Sequence, residues 1–375
     1  FEQSIGYHEF ALAGMLPVLE AAARAGRGTE LERELLIVRE MLVAPNAWRF
    51  PDDRLPNPAD NAALRLREAP LRQVLRRAYR LLPSPLSLAE ASQARTWSTL
   101  LEPPARIGDV PAESPSMPAV TSRHGESTRF AQLRAEGWQV FFHYGQLTAS
   151  HAQADLLNFE AYLGDTPITL DPHTVGYGSP LHAEWFTRGP AHNVPLVDGL
   201  GSARPAEGVE PLLLPQRGEN VVFDAPGQHL AASQPQYQNG VSARRSLRIK
   251  DAALWDHVWL SSTDGTPRSM GLTLHLQARI ETADTMTAAP DFAAERPPAF
   301  GYWQEVVRGR FENEAVFMAE GGDGQRLQIR FRVPGAFTVA VGSVPDSPVP
   351  RRRMAFYLET RRDDVTIETS ITPVE

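Results

Sequence analysis

One Pro-rich segment separates two patterns of hydrophobic residues, and this change constrains the fold more than any other feature. Residues 103–118 read PPARIGDVPAESPSMP and contain five prolines. Before this segment, apolar residues recur at helical spacing, and after it they recur at the alternating spacing of strands. Such a segment is typical of a linker between domains. The sequence therefore predicts an α+β multidomain protein, with a helical domain followed by a β domain.

Helical spacing extends over four stretches of the first 102 residues. The stretches cover about residues 2–24, 30–43, 70–82 and 86–99. Helices joined in hairpins on this scale are typical of part of an α/α barrel or toroid. The predicted first domain, residues 1–102, is therefore the C-terminal part of an incomplete α/α toroid.

The region from residue 119 to residue 375 is predicted to form a large antiparallel β-sandwich. Short runs rich in β-branched and aromatic residues recur between Gly, Pro and Asp. These runs are GWQVFFHYG, ITLD, ENVVFD, RRSLRIK, ALWDHVWL, MGLTLHLQARI, LQIRFRV, FTVAVG and MAFYLE. The Pro-containing segment from Ala288 to Phe300 further suggests a smaller separate sheet from about residue 300.

Composition excludes some classes of function. The chain has 375 residues, no cysteine and a formal net charge of −8. An acidic chain disfavours nucleic acid as a partner, and no apolar run has the length of a membrane span. The lack of cysteine excludes disulfides and thiolate chemistry. A polyanionic sugar would need a local cluster of Arg, Lys and His to offset the overall charge.

A His-rich segment from His143 to Asn193 is the most distinctive stretch for chemistry. It contains five of the ten histidines, together with Asp155 and Asp171. Imidazoles and carboxylates at this density indicate a metal site, a proton-transfer site or both. The alternative is a set of loop histidines that are near one another only in sequence.

Three motifs of this segment resemble one known family. SHAQAD, LDPHTVGYG and GPAHN occur in this order, and they resemble the β-domain signature of the heparinase II/III-like polysaccharide lyases, which include alginate and oligoalginate lyases. The similarity extends more weakly from Phe1 to about Leu260. It implies cleavage of a uronic-acid polysaccharide, a glycosaminoglycan or alginate, by β-elimination to 4,5-unsaturated products. It also implies a periplasmic or secreted bacterial protein.

The resemblance implies roles for three catalytic residues. Tyr7, in FEQSIGYH, matches the tyrosine that protonates the leaving oxygen. His151 matches the first histidine of the family's H-x-H-x-D pattern, which assists proton transfer. Tyr177 lies where some alginate-type relatives carry a base, although a tyrosine at a Gly-rich turn needs no catalytic role.

The resemblance also implies a zinc site at Gln153, Asp171 and His192. Asp171 and His192 match the family pattern, whereas Gln153 replaces a histidine. Zinc prefers imidazole and thiolate ligands to an amide oxygen. The site therefore binds zinc weakly, binds another divalent cation, recruits His173 or His182 as a ligand, or is reduced to a hydrogen-bond network.

Substrate-binding residues are less well defined by the sequence. We expect Glu2 and His8 to line the cleft, with Arg123 and Arg188 as candidates for contacts with carboxylates or sulfates. Other candidates are Asp60 and Asn61, which resemble a loop pair facing the family's cleft, and the basic residues His124, Arg129, Arg244 and Arg245.

The family also uses an Asn upstream of FEQSIGYH to neutralise the uronate carboxylate. Because Phe1 falls inside this motif, we expect the natural chain to extend further upstream. Two other classes of function remain open: a glycan-binding protein without catalysis, and a glycoside hydrolase on a toroid, which would need two opposed carboxylates.

Overall fold

The chain divides into a helical unit and a β unit. The computed structural model describes residues 3–61, 69–101, 103–104, 118–204, 216–238 and 240–374. The helical unit contains Ser4–Pro56 and Ala63–Val120, and the β unit contains Phe1–Gln3, Asn57–Ala62 and Thr121–Glu375. Most of the regular structure is antiparallel β-sheet, as the sequence predicts for the larger part of the chain.

The described part of the helical unit contains five α-helices. They are α1 (Ile5–Arg24), α2 (Glu32–Val43), α3 (Ala69–Ala78), α4 (Pro85–Ser92) and α5 (Trp97–Leu101). The side chain of Ser4 accepts a hydrogen bond from the Tyr7 backbone and caps α1. Leucines at positions 12, 16 and 19 recur on one face of α1 and pack with apolar residues of α2 and α3.

One predicted helix is wrong, because residues 86–99 form two helices rather than one. Thr96 and Thr99 exchange hydrogen bonds between their side chains and backbone amides, at 3.1 and 3.2 Å. This reciprocal arrangement is a capping box, so a new helix starts at Trp97. Much of the predicted linker, residues 105–117, lies outside the described part of the chain.

The β unit contains 17 strands within the described ranges. They are β1 (Arg123–Gly125), β2 (Phe130–Ala135), β3 (Trp138–His143), β4 (Asn158–Leu163), β5 (Thr166–Thr169), β6 (Pro195–Val197), β7 (Glu219–Asp224), β8 (His229–Gln238), β9 (Val241–Lys250), β10 (Ala253–Ser262), β11 (Arg268–Leu276), β12 (Ala278–Glu281), β13 (Thr287–Ala288), β14 (Gln304–Gly321), β15 (Arg326–Pro345), β16 (Arg352–Arg362) and β17 (Asp364–Val374).

These strands form two antiparallel sheets. Strands β1 to β5 form a five-stranded sheet in chain order. The other described strands form a 12-stranded sheet with the order β6-β11-β16-β15-β17-β10-β9-β8-β7, in which β14 pairs with β12, β13 and β15. The sequence suggests a separate smaller sheet from about residue 300. That suggestion is wrong, since β14 to β17 hydrogen-bond into the same sheet as β6 to β11.

Both sheets contribute side chains to one hydrophobic core. Trp138 and Phe142 from β3 belong to the same buried cluster as Leu254 from β10 and Phe331 from β15. Burying an aliphatic or aromatic side chain of this size contributes roughly 1.5–3 kcal/mol. The indole of Trp138 also donates to the Ala252 carbonyl at 2.9 Å, so its polar atom is satisfied within the core.

Strand β9 explains how a charged residue reaches this interior. Its sequence VSARRSLRIK alternates between buried and more exposed positions, and Arg245 is one of the buried positions. In the part of the chain that the structure describes, no helix is long and apolar enough to cross a bilayer.

Candidate functional site

The His-rich segment lies in the loops between β3, β4, β5 and β6, and its side chains form two groups, the first of which also contains Asp60. We call Asp60, His151, Tyr177 and His182 the accessible cluster, because Tyr177 is 62% exposed. We call His143, Gln153, Asp155, Asp171 and His192 the buried cluster, because each of them is nearly inaccessible. Tyr177 of the first group can therefore meet a substrate directly, whereas the second group cannot do so without rearrangement.

In the accessible cluster, His151 lies between a phenol and a carboxylate. The Tyr177 hydroxyl is 2.7 Å from His151 Nδ1, a normal hydrogen-bond distance. Asp60 Oδ2 lies 3.5 Å from the same nitrogen. The phenol and the carboxylate thus both meet Nδ1, and a proton can be exchanged between this nitrogen and either of them.

His182 extends this group on the other side of Asp60. Its Nδ1 lies 3.8 Å from Asp60 Oδ1 and 2.6 Å from the Thr174 hydroxyl. Its ring meets the edge of Tyr177 with centroids 4.9 Å apart. One buried carboxylate therefore faces two imidazoles, an arrangement that the sequence analysis did not predict.

The backbone of His151 adopts an unusual conformation. Its φ angle is 58°, in the left-handed region that residues other than glycine seldom occupy. The His151 carbonyl accepts a hydrogen bond from the Asp60 amide at 3.0 Å, which helps to hold this conformation.

The buried cluster contains two carboxylate–imidazole pairs. His143 Nδ1 lies 3.1 Å from Asp155 Oδ2, which also accepts from the Ala59 amide at 3.0 Å. Burial alone would raise the pKa of Asp155, but the charge and hydrogen bond of His143 outweigh it and lower the pKa to about 2. Asp155 therefore remains ionised and braces the loop that follows His151.

Asp171 and His192 form the second pair, at 2.7 Å between Oδ1 and Nδ1. Burial raises the pKa of Asp171, and its interaction with His192 does not fully offset this. Burial opposes a charge on His192 as well, but the Asp171 carboxylate raises the pKa of the imidazole. The Asp171 amide donates to Glu160 Oε2 at 3.2 Å, which helps to fix this end of the pair.

The buried cluster has polar atoms without hydrogen-bond partners among the described residues. These atoms are Oε1 and Nε2 of Gln153, Oδ1 of Asp155, Oδ2 of Asp171 and Nε2 of His192. Buried polar atoms normally have a partner, so such a set is expected where water or an ion binds. The described residues contain no group of three or more His, Cys, Asp or Glu side chains able to hold a metal. The three predicted ligand positions, Gln153, Asp171 and His192, thus offer one amide, one carboxylate and one imidazole, a set that suits a harder cation better than zinc.

The loop that carries His192 is fixed by an unusual set of hydrogen bonds. Four consecutive carbonyl groups each accept from a different buried side chain of the 12-stranded sheet: His275 to Pro190 (3.1 Å), Arg353 to Ala191 (2.8 Å), Thr273 to His192 (2.6 Å) and Arg245 to Asn193. Each such bond satisfies a buried acceptor, so together they determine where the loop lies.

Arg353 links this loop to Asp171. Its second terminal nitrogen donates to the carbonyl of Leu170, the residue immediately before Asp171. One guanidinium therefore holds the backbone next to both members of the Asp171–His192 pair. Arg245 acts similarly, since it bonds the carbonyls of Leu157 and Asn193 while forming a bidentate ion pair with Asp256.

Glycine is required at the start of this loop. A Cβ atom on Gly189 would lie 2.3 Å from the backbone nitrogen of Gly201. Any other residue would therefore push the two backbone segments apart. The glycine of the GPAHN motif thus permits the close approach that places His192.

Two further predicted site residues belong to the helical unit. Tyr7 and His8 are half-buried on α1 of the helical unit. His8 Nε2 lies 2.8 Å from the Met41 carbonyl, and burial lowers the pKa of its imidazole. Glu2 lies outside the described residues.

Among the predicted basic residues, Arg123 is half-buried on β1, and burial lowers the pKa of its guanidinium. Arg188 is exposed and donates to the Ala183 carbonyl at 2.8 Å. The prediction that Arg245 meets substrate is wrong, because this side chain is fully buried against Asp256.

Comparisons with known proteins identify similar chains. A family model described as "Heparinase II/III-like, C-terminal" matches residues 117–361. A solved heparinase III gene product is 17% identical, with a TM-score of 0.67 over 100% of this chain and 52% of its own. A heparan sulfate lyase from Pedobacter heparinus is 15% identical, with a TM-score of 0.63 over 100% of this chain and 52% of its own.

This chain therefore spans about half the length of these solved structures. At such identities the likeness shows a shared fold. A comparison with curated proteins found no match.

Proposed function

The chain belongs to the heparinase II/III-like family, and we propose that it acts as a polysaccharide lyase on a uronic-acid polysaccharide. The substrate class is a glycosaminoglycan such as heparan sulfate, or alginate. The observation that carries this proposal is the accessible cluster, in which the Tyr177 hydroxyl lies 2.7 Å from His151 Nδ1 beside the Asp60 carboxylate.

The proposed reaction is β-elimination. A base removes the C5 proton of the uronate, the electron pair forms the C4–C5 double bond, and the C4–O bond breaks. The leaving oxygen takes a proton from an acid. This chemistry needs proton transfer groups and a neutralised substrate carboxylate, because the C5 proton is otherwise weakly acidic.

We assign proton transfer to His151 and Tyr177. Through their hydrogen bond, the group that takes the C5 proton can pass it to the other, and the Asp60 carboxylate lies 3.5 Å from His151 Nδ1. Tyr7 is the proposed donor to the leaving oxygen. Glu2, His8, Arg123 and Arg188 remain proposed substrate contacts.

We also propose a divalent cation, zinc or a harder ion, at Gln153, Asp171 and His192. The buried side-chain atoms of these residues that lack partners support this proposal. When bound, the cation would fix the loops of the buried cluster and would leave proton transfer to the accessible cluster.

Three further proposals concern the protein as a whole. The helical unit is the C-terminal part of an α/α toroid, residues 1–102, joined by the linker 103–118 to a β-sandwich domain, residues 119–375. The partner is an acidic polysaccharide rather than nucleic acid. The location is periplasmic or secreted, where such polymers are encountered.

A panel of uronic-acid polysaccharides tests the proposed activity. The full-length protein should increase ultraviolet absorbance as the new double bond forms, and His151→Ala should abolish this increase. Asp165→Asn, which alters an acid of the β4–β5 turn outside both clusters, serves as a control. Binding of the polymers without any absorbance change would instead favour a glycan-binding protein.

A further inference from the structure

A cavity of the β unit, of about 600 Å³, lies where β11, β12, β14 and β16 end or begin. Its lining includes Arg279, Arg351 and Arg352, with Gln277 and Glu320. We call it the arginine cleft. Its volume is within the range of pockets that bind small ligands, roughly 300–1,000 Å³. None of its lining residues belongs to the accessible or the buried cluster.

Adjacent residues of β16 connect the cleft with the interior. Successive side chains of a strand point to opposite faces, so Arg352 and Arg353 diverge. Arg353 bonds the carbonyls beside Asp171 and His192, as described above. Arg352 instead bonds the Ser343 hydroxyl at 2.9 Å and the Tyr302 carbonyl at 2.8 Å.

The positive charges of the cleft are only partly compensated. Arg279 lies 3.4 Å from Glu320, and Arg351 lies 3.3 Å from Asp346. Asp346 is shared with Arg353, at 3.9 Å. Arg352 has no ion pair with any carboxylate in the part of the chain that the structure describes. The charge of Glu305, beyond ion-pair distance, compensates only part of the burial of this half-buried cation, so an anionic ligand would offset the remaining cost.

The guanidinium groups are also held in fixed orientations. Arg352 uses Nε and Nη2 for its bonds to Ser343 and Tyr302, and Arg351 uses Nη2 to bond the Gln277 amide oxygen at 2.8 Å. Within the described ranges, the Nη1 atoms of Arg351 and Arg352 have no hydrogen-bond partner. Arg351 and Arg352 therefore each retain a guanidinium N–H donor from which an oxyanion can accept.

We propose that the arginine cleft binds a carboxylate or sulfate group of an acidic oligosaccharide, at a site separate from the accessible cluster. The choice of an oligosaccharide rests on the proposed function, whereas the choice of an anion rests on the cleft alone. A polymer held at both sites dissociates more slowly than one held at either, because the second contact is intramolecular. The cleft would therefore favour long chains over short ones.

Calorimetric titration tests this proposal. The full-length protein in a His151→Ala background, which prevents the proposed cleavage, is titrated with three probes: an unsulfated uronate tetrasaccharide, its sulfated counterpart and inorganic sulfate. We expect Arg351→Gln to weaken one binding event by roughly ten-fold, as for the loss of a charge-assisted hydrogen bond. Arg351 is half-exposed, so this variant should fold. Arg352→Lys retains the positive charge but loses the planar set of guanidinium N–H donors, so it should weaken the same binding event.

Arg310→Gln is the matched control, since it removes an exposed arginine of β14 and alters net charge equally. The proposal would be overturned if wild type, Arg351→Gln and Arg352→Lys had equal affinities, or if the Arg310→Gln control weakened binding by as much. It would also be overturned if none of the three probes bound. Tighter binding of the sulfated than of the unsulfated tetrasaccharide would identify sulfate as the recognised group, and equal affinities would identify the carboxylate.

The ultraviolet absorbance assay on the protein with His151 intact, run beside the titration, separates the cleft from the proposed function. If the protein binds the anion through Arg351 but cleaves no polysaccharide, the proposed anion site is supported and the proposed lyase activity is contradicted. If the protein cleaves polysaccharide but the Arg351→Gln variant binds the probes as well as wild type does, only the proposed anion site is contradicted.

Discussion

Replacing Arg353 by methionine should destabilise the β unit and impair the site together. The guanidinium donates to the carbonyls of Leu170 and Ala191 and lies 3.9 Å from Asp346, and the side chain is 1% exposed. Hydrogen bonds from a charged donor contribute about 1.5–3 kcal/mol each, and methionine leaves two buried carbonyls without a donor. Removing one member of a buried ion pair costs about 3–5 kcal/mol.

Relief of the desolvation of Arg353 offsets part of this loss, so we expect a net cost of about 4 kcal/mol. For a domain of this size, that corresponds to a decrease in Tm of roughly 10 °C. Because Arg353 holds the backbone beside Asp171 and His192, turnover measured well below the Tm should also fall.

Thermal unfolding followed by circular dichroism measures the cost. Arg353→Lys should be intermediate, since an ammonium retains the charge but cannot span both carbonyls. Arg330→Met is the control, because Arg330 is half-exposed and its pair with Glu314 contributes at most about 1 kcal/mol. A Tm for Arg353→Met equal to that of the control would refute the reasoning.

Three other substitutions test separate parts of the account. Tyr7→Phe should abolish turnover while leaving Tm and substrate affinity nearly unchanged. Near-normal activity of this variant would show that Tyr7 is not the proton donor. Gln153→His should raise zinc affinity in calorimetry, because imidazole is a better zinc ligand than an amide, whereas unchanged affinity would mean that Gln153 does not contact a cation. Glu9 is buried, and burial raises the pKa of its carboxyl from 4.5 to about 8. The contribution of the protonated Glu9 carboxyl to the free energy of unfolding is fully present below about pH 4.5 and is lost as the pH rises towards 8. Because glutamine stays neutral at every pH, Glu9→Gln should raise Tm more at pH 8 than at pH 5. An equal change at both pH values would contradict this.

The family and the β-rich character of the chain could be predicted from sequence. The three motifs of the His-rich segment indicate the family, and the match over residues 117–361 confirms it. The run ENVVFD coincides with β7, because β-branched and aromatic residues mark it clearly. The sequence does not predict strand β14, because most of its exposed side chains are charged or polar and break up its apolar pattern.

The internal support of the site could not be predicted, because it depends on contacts between distant parts of the chain. Arg245 has the sequence context of a solvated strand arginine, yet its partners are Asp256 and carbonyls at residues 157 and 193. Arg353 likewise lies 162 residues from Ala191, whose carbonyl it bonds. Asp60 reaches His151 across 91 residues. Local pattern carries no signal for such pairings, whereas the motif residues His151, Asp171 and His192 were identifiable.

The central claim is that the protein cleaves a uronic-acid polysaccharide by β-elimination, and the mass balance of the products tests it most directly. Elimination adds no atoms, so a purified oligosaccharide of known mass should give two products whose masses sum to that of the substrate. Mass spectrometry of the products before and after digestion by the full-length protein measures this sum. Products whose masses exceed that sum by one water molecule would show hydrolysis and would contradict the account.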